Sequence, residues 1–76
     1  MKIEILGPGC MKCNKLYETA KEAVAQAGVD AEVVKVSDIM EIAKRGALMT
    51  PALMVDGEIK VAGKVPKVRE IVKLLG

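Results

Sequence analysis

The tripeptide Gly7-Pro8-Gly9 divides two stretches whose side chains repeat with different periods, and no other feature constrains the architecture of the chain as strongly. Before it, Lys2–Leu6 alternates, with Ile3 and Ile5 on one face, and β-branched residues there favour a pleated strand. After it, Cys13, Leu16, Ala20, Ala23, Val24 and Ala27 recur at steps of three and four, while Lys15, Glu18, Lys21 and Glu22 take the other side. That is the period of an amphipathic helix from Met11 to about Ala27, closed by Gly28. Glycine and proline forbid regular structure in between, so a strand feeds a helix and Cys10 stands at the junction.

The remainder follows the same logic. Glu32–Val36 is rich in valine and predicts a second strand, after which Ser37 or Asp38 suits the N-cap of a short helix ending near Lys44, before Gly46. Thr50-Pro51 interrupts the chain ahead of a third strand, Ala52–Val55. Asp56-Gly57 is a two-residue hairpin signal leading into a fourth, Glu58–Ala62. Pro66 suits the first turn of a last helix, whose apolar stripe is Val68, Ile71, Val72 and Leu75. The predicted order is βαβαββα.

Seventy-six residues allow one domain, 1–76, and no more. With 51% apolar and 29% charged residues the chain is expected to fold, and with Tyr17 as its only aromatic the core must come from aliphatic packing. A net charge of +2 and the lack of aromatic platforms argue against nucleic acid as a partner. No apolar run reaches spanning length and residues 1–6 do not read as a signal peptide, so a cytoplasmic protein without membrane association is expected. In a reducing compartment, a C-x-x-C pair is catalytic or metal-binding more often than a permanent staple.

Cys10 and Cys13 form that pair. A cysteine at the first turn of a helix meets unpaired backbone N–H groups and the positive end of the macrodipole, which favour thiolate. Cys10 is therefore expected to attack a substrate disulfide. Cys13, one turn on and pointing toward the packed side, is expected to resolve the mixed disulfide. Lowering a thiol pKa from about 8.5 to about 7 raises the thiolate fraction roughly fifteen-fold, yet reduced nucleophilicity takes back about five-fold. Holding the second thiol close matters more, since oriented groups reach effective molarities of about 10⁵ M or above. Between them, Lys12 either adds positive charge or is simply solvated, and Met11 either offers a soft contact to a substrate or covers the helix start. Lys60, Lys64, Lys67, Arg69 and Lys73 read as a solvated surface or as a basic docking face for a reductase. Met40, Met49 and Met54 read as core filler rather than a methionine metal track, and Tyr17 either packs near the site or covers the helix.

The strand, Gly7-Pro8-Gly9-Cys10-Met11-Lys12-Cys13, the helix, and Thr50-Pro51 ahead of a hairpin closely resemble the thioredoxin and glutaredoxin superfamily, in particular its small prokaryotic thioredoxin-like redox-active disulfide proteins. The resemblance spans nearly the whole chain and implies an α/β thioredoxin-like fold: a four-stranded mixed sheet with helices on both faces. It also implies a cis bond before Pro51, with Thr50 and Pro51 beside the cysteines as substrate-binding residues that align an extended target segment. Met11 and Lys12 join them as candidate substrate contacts. Gly9 replaces the tryptophan of ordinary thioredoxins, and Met11-Lys12 replaces their Gly-Pro. Gly63 is followed by Lys64-Val65-Pro66 rather than the Gly-Gly and acid of glutaredoxins, which argues against glutathione as a partner. There is no histidine, and Glu4 is expected on an exposed face with Lys2, so no base for Cys13 is evident.

The expected function is thiol–disulfide exchange with protein disulfides, by a monomer without cofactor or metal, recharged by a thioredoxin-reductase-like electron donor. Rival readings are a Cu(I) carrier, since two thiolates suit a soft metal, and a redox-switched adaptor without turnover. Copper-carrying domains run βαββαβ and end in a strand, whereas this chain ends in the stripe of Val68 to Leu75.

Overall fold

The computed structural model describes residues 1–9 and 11–75, so that Cys10, the expected attacking residue, lies outside the described residues, as does Gly76. Within them the elements run β1 (Lys2–Leu6), α1 (Met11–Ala27), β2 (Glu32–Val36), α2 (Ile39–Lys44), β3 (Ala52–Val55), β4 (Glu58–Ala62) and α3 (Val68–Leu75). The strands lie in the order β2-β1-β3-β4. β1 pairs parallel with β2 and antiparallel with β3, and β3 pairs antiparallel with β4. This is the α/β mixed sheet implied by the resemblance.

Each connection has a local cause. Parallel β1 and β2 need a crossover, and α1 supplies it by laying its apolar stripe on the sheet. β3 and β4 are joined by Asp56 and Gly57, with φ of 49° and 84°, the paired positive angles of a tight hairpin turn. Asp56 also ties the turn to β1: its backbone N–H donates to the Lys2 carbonyl at 2.8 Å, and its Oδ1 accepts from the Lys2 N–H at 2.7 Å.

The alternation of β1 and β3 splits the core in two. Ile3, Ile5, Leu53 and Val55 face Leu16, Ala20 and Ala23 of α1 and Ile71 and Leu75 of α3. Leu6, Ala52 and Met54 face Ile42 of α2 on the opposite side. Helices thus cover both faces. Between Leu53 and Met54 the register with β4 shifts, Leu53 pairing with Val61 and Met54 with Ile59, which leaves Lys60 as the extra residue of a bulge. The bulge lets Val61 pack toward α1 and α3 while Ile59 packs toward α2. Among the described residues, no helix is long and apolar enough to cross a membrane.

Two sequence expectations are corrected here. Glu4 does not share an exposed face with Lys2: it is buried at 7% exposure, and Arg45 Nε donates to its Oε2 at 2.7 Å. Arg45, just past the end of α2, also donates through Nη1 to the Glu41 carbonyl and carboxylate, at 3.1 and 3.2 Å. Hydrogen bonds to Glu4 and then Glu41 raise the guanidinium pKa further above its ordinary value. Pro66 does not sit in the first turn of α3. The helix begins at Val68, with Lys67 ahead of it: the Glu70 and Ile71 N–H groups donate to the Lys67 carbonyl, and the Lys67 N–H donates to Glu70 Oε1 at 3.2 Å. This is half of a capping box, and a box needs a residue with a free N–H ahead of the helix.

The choice between Ser37 and Asp38 falls to Asp38, whose Oδ1 accepts from the Met40 N–H at 2.8 Å and the Glu41 N–H at 3.4 Å. In a helix of six residues one cap is a large share of its order. Asp38→Ala should lower stability by about 1 kcal/mol, which at a urea slope of about 1 kcal/mol/M moves the unfolding midpoint down by about 1 M. An unchanged midpoint would mean that tertiary packing alone holds α2.

Candidate active site

α1 begins where β1 ends, with only residues 7–10 between them. The buried stripe of the helix starts with Cys13, continues through Leu16, Ala20 and Ala23, and lies over Ile3 and Ile5. Cys13 is accordingly 4% exposed. Its sulfur is the leading edge of the core at the C-terminal end of β1.

Two glycines make this approach possible, for different reasons. Gly9 has φ of 94°, a backbone angle that side chains with a Cβ disfavour, and nothing lies within 4 Å of the position a Cβ would take. Gly7 has no such angle and is required by space. A Cβ on Gly7 would overlap Cys13 Sγ, stand 3.1 Å from Cys13 Cβ, and lie 3.9 Å from Pro51 Cα. Gly7 is therefore the floor on which the Cys13 sulfur rests, with Pro51 alongside. The Gly7 N–H donates to the Val36 carbonyl at 3.0 Å, fixing that floor to β2.

The Thr50–Pro51 bond is cis, as the resemblance implied. Pro51 is fully buried, Thr50 is exposed, and the Pro51 carbonyl accepts from the Gly63 N–H at 2.9 Å. The structure thus brings Cys13 and Pro51 together around Gly7. Met11, 88% exposed, and Lys12, also exposed, occupy the first turn of α1. Cys10 lies outside the described residues.

On the β2 side of Cys13 is a cleft of about 220 Å³, whose lining includes Gly7, Pro8, Cys13, Asn14, Lys35 and Ser37. Neither Met11, Lys12, Thr50 nor Pro51 lines it. Lys35 is the cation of this cleft. Its ammonium donates to Asn14 Oδ1 at 2.9 Å and lies 4.6 Å from the centroid of the Tyr17 ring. Lys21 approaches the same ring at 5.2 Å. Tyr17, half-buried over the main core, thus serves as a platform that holds Lys35 beside the residue following Cys13.

Sequence reasoning overlooked Gly7 as a contact surface and Lys35 altogether. The signal for Lys35 was present: in a strand that alternates, it falls on the same face as Val33, the covered one, and in the parallel register it stands beside Ile5. A lysine on a covered face at a strand's end reaches for a specific partner. For Gly7 the signal was weaker, a glycine at the point where one backbone must pass close to another side chain.

Comparison with known proteins gives a consistent picture. A family model described as the thioredoxin domain matches residues 1–76. A thioredoxin from Methanothermobacter thermautotrophicus is 44% identical over 75 residues, covering 99% of this chain and 97% of that protein. A thioredoxin from Methanocaldococcus jannaschii is 49% identical over 69 residues, covering 91% of this chain and 79% of the relative.

Proposed function

The chain belongs to the thioredoxin-domain family, and from that premise we propose that it is a thioredoxin-type redox protein that exchanges electrons with protein disulfides through Cys10 and Cys13. The Cys10 thiolate attacks one sulfur of a target disulfide; a Cys10–target bond forms, the target S–S bond breaks, and the departing thiolate takes a proton. Cys13 then attacks the Cys10 sulfur, forming the Cys10–Cys13 disulfide and releasing the second target thiol. Two electrons pass from the dithiol to the target. A dithiol or a thioredoxin-reductase-like donor returns them, in a cytoplasmic setting.

The observation that supports this division of labour is the burial of Cys13 against Gly7, at the end of the sheet where Pro51 is also buried. A sulfur so enclosed is out of reach of a bulky protein disulfide, yet it follows Cys10 by only three residues in the chain. Lys35, lining the same cleft as Cys13, offers a positive charge where negative charge develops on sulfur during exchange. Thr50, Met11 and Lys12, all exposed, are the contacts we propose for an extended target segment.

Turnover tests the reading. With dithiothreitol as electron donor, the chain should reduce the interchain disulfides of insulin at a rate proportional to its own concentration. A chain that binds one equivalent of Cu(I) and leaves that rate at the dithiothreitol background is a metal carrier, and the proposal fails.

A further inference from the structure

A second cleft, of about 400 Å³, lies between the edge strand β4 and helix α3, away from Cys13. Of the five cations singled out in the C-terminal part of the sequence, Lys60, Lys64 and Lys73 converge on it from three different segments, whereas Lys67 and Arg69 do not line it. Its apolar surface is Val61, Pro66 and Leu74. We propose that this cleft docks an acidic segment of a partner protein in the exchange reaction; the identity of that partner as an exchange partner rests on the redox reading above.

Lys60 is where it is because of the bulge in β4. As the residue without an opposite number in β3, it escapes the alternation that would otherwise point it to one face or the other of the sheet. Its pairing with Glu58 Oε1, at 3.4 Å, is an exposed contact that an incoming carboxylate can replace at little cost. The acidic member of the lining, Glu70, is engaged by the Lys67 N–H at the start of α3. The charge of the whole chain is also concentrated here. Residues 58–76 hold five cations and two carboxylates, net +3, while residues 1–57 hold seven cations and eight carboxylates, net −1.

The occupant follows from this chemistry. Lysine heads on flexible stems are hydrated point charges, suited to steering carboxylates rather than to clamping a phosphate in a fixed fork. The apolar strip between them accepts a leucine-sized side chain, which an acidic peptide can supply. Although separate from the site, the cleft is linked to Pro51 through the chain. Lys64 follows Gly63, whose N–H donates to the Pro51 carbonyl and at which a Cβ would run into the Met49 side chain.

The experiment compares two synthetic disulfide-bridged peptides with the same loop, one extended by a tract of glutamate, aspartate and leucine and the other by glutamine, serine and leucine. For the intact chain the second-order rate should be about tenfold higher with the acidic peptide, and that advantage should vanish when salt is raised from about 20 mM to about 300 mM. The triple variant Lys60→Glu, Lys64→Glu, Lys73→Glu should lose the advantage while its rate with the neutral peptide stays the same. The milder Lys60→Gln, Lys64→Gln, Lys73→Gln set should lose most of it. The linear acidic tract without a disulfide, titrated into isotopically labelled protein, should shift the backbone resonances of residues 60–64 and 73–74. If both peptides react equally and no shifts occur there, docking is refuted while exchange stands. If neither peptide reacts, the redox reading fails, and the titration alone decides the cleft. If inorganic phosphate reproduces the shifts and the acidic tract does not, the site takes a small anion and the proposal is overturned.

Discussion

Replacing Cys13 with serine should turn the chain from a catalyst into a trap. In the proposed sequence the mixed disulfide on Cys10 is opened by the thiol of Cys13, three residues along the chain, at an effective concentration of about 10⁵ M or more, whereas free thiols in an assay are present at millimolar levels. Removing that thiol should reduce steady-state turnover on protein disulfides by at least about 10²-fold, even allowing for slow release by the external dithiol. The covalent adduct should accumulate in proportion to enzyme and be visible on non-reducing gels and by mass spectrometry. Cys10→Ser should abolish turnover and adduct alike. Serine is a fair test because it is slightly smaller than cysteine and so adds no bulk against Gly7. Full turnover by the Cys13→Ser protein would end the two-thiol account.

The second large effect is expected at a residue with no chemistry of its own. Gly7→Ala places a methyl group on Cys13 Sγ, with Cys13 Cβ only 3.1 Å away. Cysteine has a single side-chain torsion, and this one is buried, so relief requires either rotating the sulfur into the packed core or lifting the start of α1. Overpacking of this kind costs about 1–3 kcal/mol. The same displacement should slow disulfide exchange by an order of magnitude or more, because misplacing a reacting group by about 1 Å can cost about 10²-fold. Gly9→Ala is the matched control. It is strained by its backbone angle, at about 1–2 kcal/mol, but meets nothing within 4 Å and should leave Cys13 where it is. A double-mutant cycle sharpens the comparison: Cys13→Ala should restore much of the stability lost in Gly7→Ala and none of that lost in Gly9→Ala. Simple additivity in both cases would show that Gly7 and Cys13 do not meet as described.

The element order, the strand boundaries and the position of Cys13 at the head of a buried helical stripe were legible in the residues themselves. Alternation, a three-to-four step and a Gly-Pro-Gly break act over a few positions, and a helix or strand that satisfies them locally is consistent with the whole. The hairpin at Asp56-Gly57 was equally readable, since two positive backbone angles in succession select very few residue pairs. The last helix was less so. Pro66 is a good first-turn residue in isolation, but the bond from the Lys67 N–H back to Glu70 accompanies a start of α3 at Val68, two residues further on than Pro66.

Glu4 and Lys35 mark the boundary between the two kinds of information. Alternation divides β1 and β2 into faces, but it does not say what covers each face or how far along the strand the cover extends. Glu4 shares a face with Lys2 and Leu6. It is buried because Arg45, 41 residues later, is delivered by α2 to that part of the sheet. Lys35 becomes part of the cleft at Cys13 because the parallel register sets it beside Ile5, under the first turns of α1, where Asn14 and Tyr17 receive it. The same holds for Lys60, Lys64 and Lys73, which converge from β4, the segment after it and α3, the first of them placed by a one-residue bulge that no local propensity announces. Short-range periodicity thus determined which elements form and which sulfur heads the core. Strand register and helix placement, which depend on contacts between residues far apart in the chain, decided which charges stand beside that sulfur and which stand apart as a separate surface.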